Sequence, residues 1–214
     1  MYAVGLSISR NLVPFNLTPA ELELVKAGIS DGLSNKKPKV DPETATQKMH
    51  ELLRTRVAKT AEAEKRSAQV FLEKAATEKG AEVKPSALIY TELTAGDGRQ
   101  PQPTDKVKVN YVGKLRDGSV FDTSEQRGHP AEFAVRGVIP CWTEGLQLKK
   151  EHSKAKFVCP SELAYGDKGA PPAIKPGALL VFEVELLEVL PGSGGGQKAP
   201  SATDPGTEQI QKHE

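Results

Sequence analysis

Aromatic residues are scarce in this chain: one tryptophan, four tyrosines and six phenylalanines among 214 positions. Rings dominate the energetics of cores, so wherever these few gather marks the main one. Cysteine is scarcer still. Cys141 and Cys159 are too few for a disulfide scaffold and belong to no metal-ligand cluster. Cys141 falls at an expected helix start and Cys159 at an expected strand end, with no spacing that suggests a pair. Two free thiols are expected, Cys141 the more accessible, and the redox compartment stays open. No apolar run is long enough to span a bilayer, and no basic segment leads into an apolar export signal. Lys plus Arg number 29 and Asp plus Glu 28, so neither sign is in excess and no nucleic-acid partner is implied. The four histidines, His50, His129, His152 and His213, stand in polar surroundings. Neither HExxH, nor a phosphate-cradling glycine loop, nor a nucleophile elbow occurs. Metal and cofactor are not called for, and Cys141 has no histidine in a partner motif that would make it a nucleophile.

What is present divides into four segments: 1–38, 39–83, 84–190 and 191–214. The first reads as two short helices. Tyr2, Val4, Leu6, Ile8 and Leu12 open one, and Thr18-Pro19-Ala20-Glu21 starts the other with a capping box and a proline at the first helical position. Two such helices bury too little to be stable alone and need a partner surface. The second segment starts at Asp41-Pro42-Glu43 and meets no Gly or Pro until Gly80. That predicts a helix on the order of 58 Å at 1.5 Å per residue. Its middle, RTRVAKTAEAEKRSAQ, is polar nearly all round, which reads as a solvent-spanning rod rather than a packed element or a coiled coil. The tail from Pro191 is Gly, Ser, Pro and polar residues, a composition expected to stay disordered.

The third segment holds eight of the eleven aromatics: Tyr90, Tyr111, Phe121, Phe133, Trp142, Phe157, Tyr165 and Phe182. ALIYTEL, KVKVNYVGKL, SVFD, EFAV, KAKFV and ALLVFEVELLEVL read as strands, several with two-residue alternation. Asp117-Gly118 is a hairpin turn, and one short helix lies near WTEGLQL. The fold class is α+β, an antiparallel sheet with one helix on its face. The tryptophan stands in VIPCWTEGL, two residues after a proline suited to starting a helix. Most tryptophans are simply packed, so it reads first as a core residue, with the floor of an apolar site as the alternative. Tyr111-Val112-Gly113, Phe121-Asp122, Val138-Ile139-Pro140 and Ala164-Tyr165-Gly166 bring rings and a few polar groups to strand and loop boundaries. Such a set suits a concave apolar pocket with a few orienting hydrogen bonds.

VNYVGKLRDGSVFDTS, GVIPCWTEGLQ and ELAYGDKGAPPAIKPGALLVFEVELL resemble the FKBP-type peptidyl-prolyl cis-trans isomerases. YAVGLSISRNL, LTPAELELVKAGISDGL and the long charged helix resemble the N-terminal dimerisation region of the Mip-like bacterial subgroup, the macrophage infectivity potentiators. The resemblance implies a bent antiparallel sheet wrapped around one short helix, preceded by dimerisation helices in 1–38 and a connecting helix in 39–83. It further implies a proline pocket lined by Tyr111, Phe121, Val138, Ile139, Trp142 and Phe182, with Trp142 as floor and Asp122 at the rim. Ile139 would present its amide, and Tyr165 its phenol, to the substrate backbone. Ala131 stands where an aromatic is common at the pocket edge, and Ile174 keeps an apolar flap contact. Cys141 replaces a frequent glycine, Ala170 a frequent histidine, and Pro172, Ala173 and Lys175 commoner flap residues.

The activity so implied is cis-trans isomerisation of X-Pro bonds in polypeptide clients, without metal or cofactor, joined to a chaperone role. A proline-binding chaperone or interaction module with little isomerase activity is the alternative. The partners implied are proline-containing clients, the macrolides tacrolimus and rapamycin, and a second copy of the chain. Export in a Gram-negative-type bacterium, to the periplasm, outer membrane or cell surface, is the implied location, with a cytoplasmic one the alternative.

Overall fold

The alternation in KVKVNYVGKL appears in the computed structural model as strand β3 (Lys106–Leu115), whose residues 107, 109, 111 and 113 are buried while their neighbours are not. The structure describes residues 1–190 and 192; the expectation for the tail thus lies outside the described residues, save Gly192. Around β3 stand β1 (Ala81–Val83), β2 (Ile89–Thr94), β4 (Val120–Thr123), β5 (Ala131–Ala134), β6 (Lys154–Cys159) and β7 (Leu180–Leu190). All pair antiparallel in the order β1-β2-β6-β7-β3-β4, and β5 pairs with the first half of β3. Six of these strands match the sequence expectation. β1 was not anticipated, because its three residues are too few to show alternation.

The helix expected near WTEGLQL is α4 (Pro140–Gln147), with Pro140 at its start. It lies directly on β6: a Cβ on Gly145 would sit 2.7 Å from the Phe157 ring. Only glycine lets the helix approach so closely. The core is continuous from β3, β6 and β7 through Cys141, Trp142 and Leu146 of α4. The expected α+β sheet-and-helix architecture is therefore the observed one.

That same approach corrects the reading of the cysteines. Cys141 and Cys159 are both fully buried and joined by a disulfide, with Cα atoms 5.9 Å apart. The pairing follows from α4 lying across the end of β6, a tertiary relationship that a separation of 18 residues does not reveal.

The N-terminal part comprises α1 (Tyr2–Leu12), a 3-10 turn at Val13–Phe15, α2 (Pro19–Leu33) and α3 (Pro42–Ala76). The capping box of α2 is formed by Thr18 and Glu21 as the sequence reads. Glu21 also pairs with Arg56 of α3, whose guanidinium donates to the Phe15 carbonyl at 2.6 Å. Among the described residues no helix is long and apolar enough to cross a membrane.

The long helix departs from the reading of a free rod. Ala61, Ala68 and Ala75, seven residues apart, form a buried stripe. Ala68 and Ala75 pack with Ile89, Val158 and Val181 of the sheet and with Leu179 just before β7, with Phe71 and Leu72 beside them. The loop before β7 meets the same stripe, since a Cβ on Gly177 would lie 2.4 Å from the Ala61 carbonyl oxygen. Small side chains let the helix dock with little apolar surface, so its sequence looked polar all round. The half of α3 after about residue 60 is part of the folded body.

Candidate active site

Tyr111 is carried inward by the alternation of β3 and Phe182 by β7, while Phe121 and Asp122 adjoin in β4 at a register shift against Gly113 and Lys114, so that both reach the cavity. Val138 and Ile139 precede α4, Trp142 occupies its first turn, and Tyr165 follows a 3-10 turn at Ser161–Leu163. These eight side chains line one concave apolar cavity. Ala131 and Ile174 are buried in the adjoining core and are not part of that lining.

Trp142 is the hub. Its ring meets Tyr111 at 5.2 Å, Phe182 at 5.4 Å and Phe133 at 5.5 Å between centroids, each nearly perpendicular. Phe121 stands edge-on to Phe182 at 5.8 Å. Such edge-to-face contacts satisfy the ring quadrupoles and fix each plane. Gly113 is part of the construction, because a Cβ there would come within 2.8 Å of Phe121 and 3.0 Å of Phe182. The buried Trp142 Nε1 has no hydrogen-bond partner among the described residues.

Polar groups are few and organised. The Tyr111 phenol donates to Asp122 Oδ2 at 2.7 Å, and Arg127 donates to both Asp122 oxygens at 3.3 and 3.4 Å. Asp122 therefore holds a phenol and a guanidinium. Burial first, and then the Asp122 carboxylate, push the Tyr111 phenol well above the usual tyrosine range. The same two causes, in the same order, raise Tyr165. Both phenols are protonated at neutral pH and can donate.

Two contributors escaped the sequence reading. Phe133 braces Trp142 and Tyr111 from β5, and its place in the EFAV alternation was the available signal. Arg127 reaches Asp122 from a 3-10 turn at Glu125–Arg127, for which the sequence holds no signal. A larger open groove of about 510 Å³ lies on the outer side of the sheet, lined by Asn110, Val112, Thr123, Lys154, Glu183 and Glu185. These side chains alternate with those facing the core, and carboxylates and a lysine on a wetted face do not make an apolar pocket.

What the cavity around Trp142 can do is hold a small apolar ring against aromatic walls, with the Tyr165 phenol beside it. Comparison with known proteins places the chain as a whole. Residues 97–187 match the family model described as FKBP-type peptidyl-prolyl cis-trans isomerase, and residues 1–91 match the domain amino-terminal to it. The FKBP-type 22 kDa peptidyl-prolyl cis-trans isomerase of Escherichia coli (strain K12) is 41% identical over 192 residues, 88% of this chain and 93% of that protein. The macrophage infectivity potentiator of Trypanosoma cruzi is 41% identical over 132 residues, 61% of this chain and 67% of that protein. The crystal structure of FkpA from Escherichia coli superposes with a TM-score of 0.66 at 37% identity, covering 89% of this chain and 94% of that one. With both halves of the fold accounted for in this way, the chain belongs to the FKBP-type peptidyl-prolyl cis-trans isomerases and is an enzyme of that activity.

Proposed function

We propose that X-Pro rotation takes place in the cavity over Trp142, in proline-containing protein clients. The observation that carries this reading is the convergence of Tyr111, Phe121, Asp122, Val138, Ile139, Trp142, Tyr165 and Phe182 on one apolar cavity. Trp142 is the floor for the proline ring, and Tyr111, Phe121, Val138 and Phe182 are its walls. The carbonyl of Ile139 is engaged by the Trp142 and Thr143 amides, so its own amide is the group it offers to the substrate. Tyr165 donates its phenol to a substrate carbonyl, and Asp122 orients Tyr111 at the rim. Ala131 and Ile174 bound the flap side from the adjoining core.

The chemistry needs nothing more reactive. Amide resonance sets a barrier of about 18–20 kcal/mol to rotation, so uncatalysed isomerisation takes on the order of tens to hundreds of seconds. At the twisted transition state the resonance is lost, and with it the charge separation between carbonyl oxygen and nitrogen. Aromatic walls that exclude water solvate the less polar twisted state better than the planar one. Donors on the flanking carbonyls hold the backbone in a turn while the preceding residue swings. The cavity therefore favours the transition state by shape and polarity alone.

We further propose a homodimer that also acts as a folding chaperone, with 1–38 as dimerisation segment, 39–83 as connector and 84–190 as isomerase unit. Supporting this, Tyr2, Leu24 and Leu33 are more than 70% exposed, and Leu6, Ile8 and Ile29 are exposed as well. A buried disulfide fits an oxidising compartment, which favours export over a cytoplasmic location.

The test is catalysed isomerisation of a short X-Pro peptide, followed together with Trp142 emission. Tacrolimus and rapamycin are expected to inhibit and to change the emission. Saturating drug that altered neither rate nor fluorescence would remove the cavity from the mechanism.

A further inference from the structure

Tyr165 sits on a loop whose two flanks are tied to the long helix rather than to the sheet alone. The Lys65 Nζ of α3 lies 3.0 Å from Glu162 Oε1 and 2.6 Å from Asp167 Oδ1. Those carboxylates stand three residues before and two residues after Tyr165. The ammonium thus spans the segment that carries the phenol. Further along, Glu64 of α3 lies 3.6 Å from Lys175 Nζ and 3.8 Å from Arg116. Gly177, pressed on Ala61, donates its amide to the Gly166 carbonyl at 3.0 Å, and the Gly169 amide reaches the Tyr165 carbonyl at 3.2 Å. One turn of α3, Ala61 to Lys65, therefore meets the loop at both ends.

We infer that Lys65 is a positioning residue for the isomerisation, and that α3 sets the placement of Tyr165 over the pocket as well as connecting the two parts of the chain. The inference rests on the proposed role of Tyr165. The Lys65 ammonium is held charged by Asp167 first and Glu162 second, so the clamp is intact throughout the neutral range. Without it, the carboxylates at 162 and 167 lose their common counter-ion, and the loop between them samples positions in which the phenol is out of reach of the substrate carbonyl. A connector that clamps a pocket loop also gives force or binding at the N-terminal helices a route to the active site.

The experiment uses the full chain and an X-Pro peptide, with K65M, K65R, D167N, the double variant K65M/D167N and Y165F. K65M and D167N are expected to lower kcat/KM about two- to five-fold at low salt, the rate equivalent of a partly exposed ion pair. K65R is expected to retain most of the rate. The double variant should cost no more than the worse single one, because the residues act as one unit. In about 1 M salt, where the screening length falls to roughly 3 Å, the gap between wild type and K65M should close. A purely structural role would lower thermal stability and leave that salt-dependent gap absent. K65M equal to wild type at low salt, with Y165F impaired, would overturn the clamp and leave the pocket reading standing. Y165F equal to wild type would instead withdraw the role of the phenol, and the clamp with it.

Discussion

The Tyr111 phenol and the Asp122 carboxylate, 2.7 Å apart, join β3 to β4 beside Trp142 and lock the ring that walls the cavity. The carboxylate is shared with Arg127, so three side chains form one polar unit at the edge of an otherwise apolar site. The arrangement makes Asp122 a residue that shapes the pocket through Tyr111.

Asp122→Ala is accordingly expected to reduce kcat/KM about tenfold or more, as a hydrogen bond to a charged group is worth about 1.5–3 kcal/mol. Tyr111→Phe should cost less and, combined with Asp122→Ala, add little. Full activity in Asp122→Ala would show that the carboxylate merely braces β4. Tyr165→Phe should lower the rate by about the value of one hydrogen bond, roughly 1 kcal/mol. Because both phenols are raised above their ordinary range, peptide activity should stay level to about pH 10, near the tyrosine reference value. A rate that fell with an ordinary tyrosine titration would contradict their burial.

The disulfide gives a second expectation. Intact mass in alkylating agent without reductant should be two hydrogens light, with no label incorporated. Replacing both cysteines with serine should lower stability by about 3 kcal/mol, the cross-link effect for a loop of this length. Activity of the folded variant should persist, since neither sulfur lines the cavity. Two labelled thiols in the unreduced protein would break the cross-link.

Lys149, just after α4, is fully buried, and its Nζ donates to the Val184 carbonyl at 3.0 Å. Desolvation lowers its pKa from 10.5 to about 8. Between those values the unfolded chain binds more protons than the folded one, so stability should rise as pH goes from about 8 towards 10. Below pH 8 the buried charge is a standing cost on the order of 1–3 kcal/mol. Lys149→Met should therefore be more stable than wild type at pH 7, with the advantage shrinking by pH 10. Urea midpoints at both pH values check this; an equal gap at the two would rule out the buried titration.

Much of this was legible in the sequence, for identifiable reasons. β3 announces itself because burying one face enforces alternation, β7 because it is a long apolar run with alternation in its middle, and the capping box of α2 is a local hydrogen-bond pattern. The eight cavity residues were named through motif resemblance, and the fold brings them together. What escaped depends on tertiary approach. The Cys141–Cys159 pairing requires α4 to lie on β6, which Gly145 permits but does not announce. The docking of α3 rests on alanines, whose small side chains read as neutral among charges. Arg127 contributes a charge from a turn, and nothing in local spacing connects it to Asp122.

The docked half of α3 changes what truncation should do. Deleting residues 1–38 removes the exposed apolar helices and keeps the Ala61, Ala68 and Ala75 stripe on the sheet. That fragment should be a stable monomer by sedimentation, as active on peptides as the full chain. It should be weaker in accelerating proline-limited refolding of a protein client or in suppressing aggregation, because two pockets are no longer held together. Deleting residues 1–80 is a different cut. It uncovers the apolar surface of Ile89, Val158, Leu179 and Val181 and takes away Lys65. The shorter fragment should unfold at lower urea and turn over peptides several-fold more slowly. Each Å² of apolar surface left uncovered costs about 25 cal/mol. Equal stability and peptide activity in the two fragments would return α3 to the role of a spacer. A full chain that sediments as a monomer would remove the dimer.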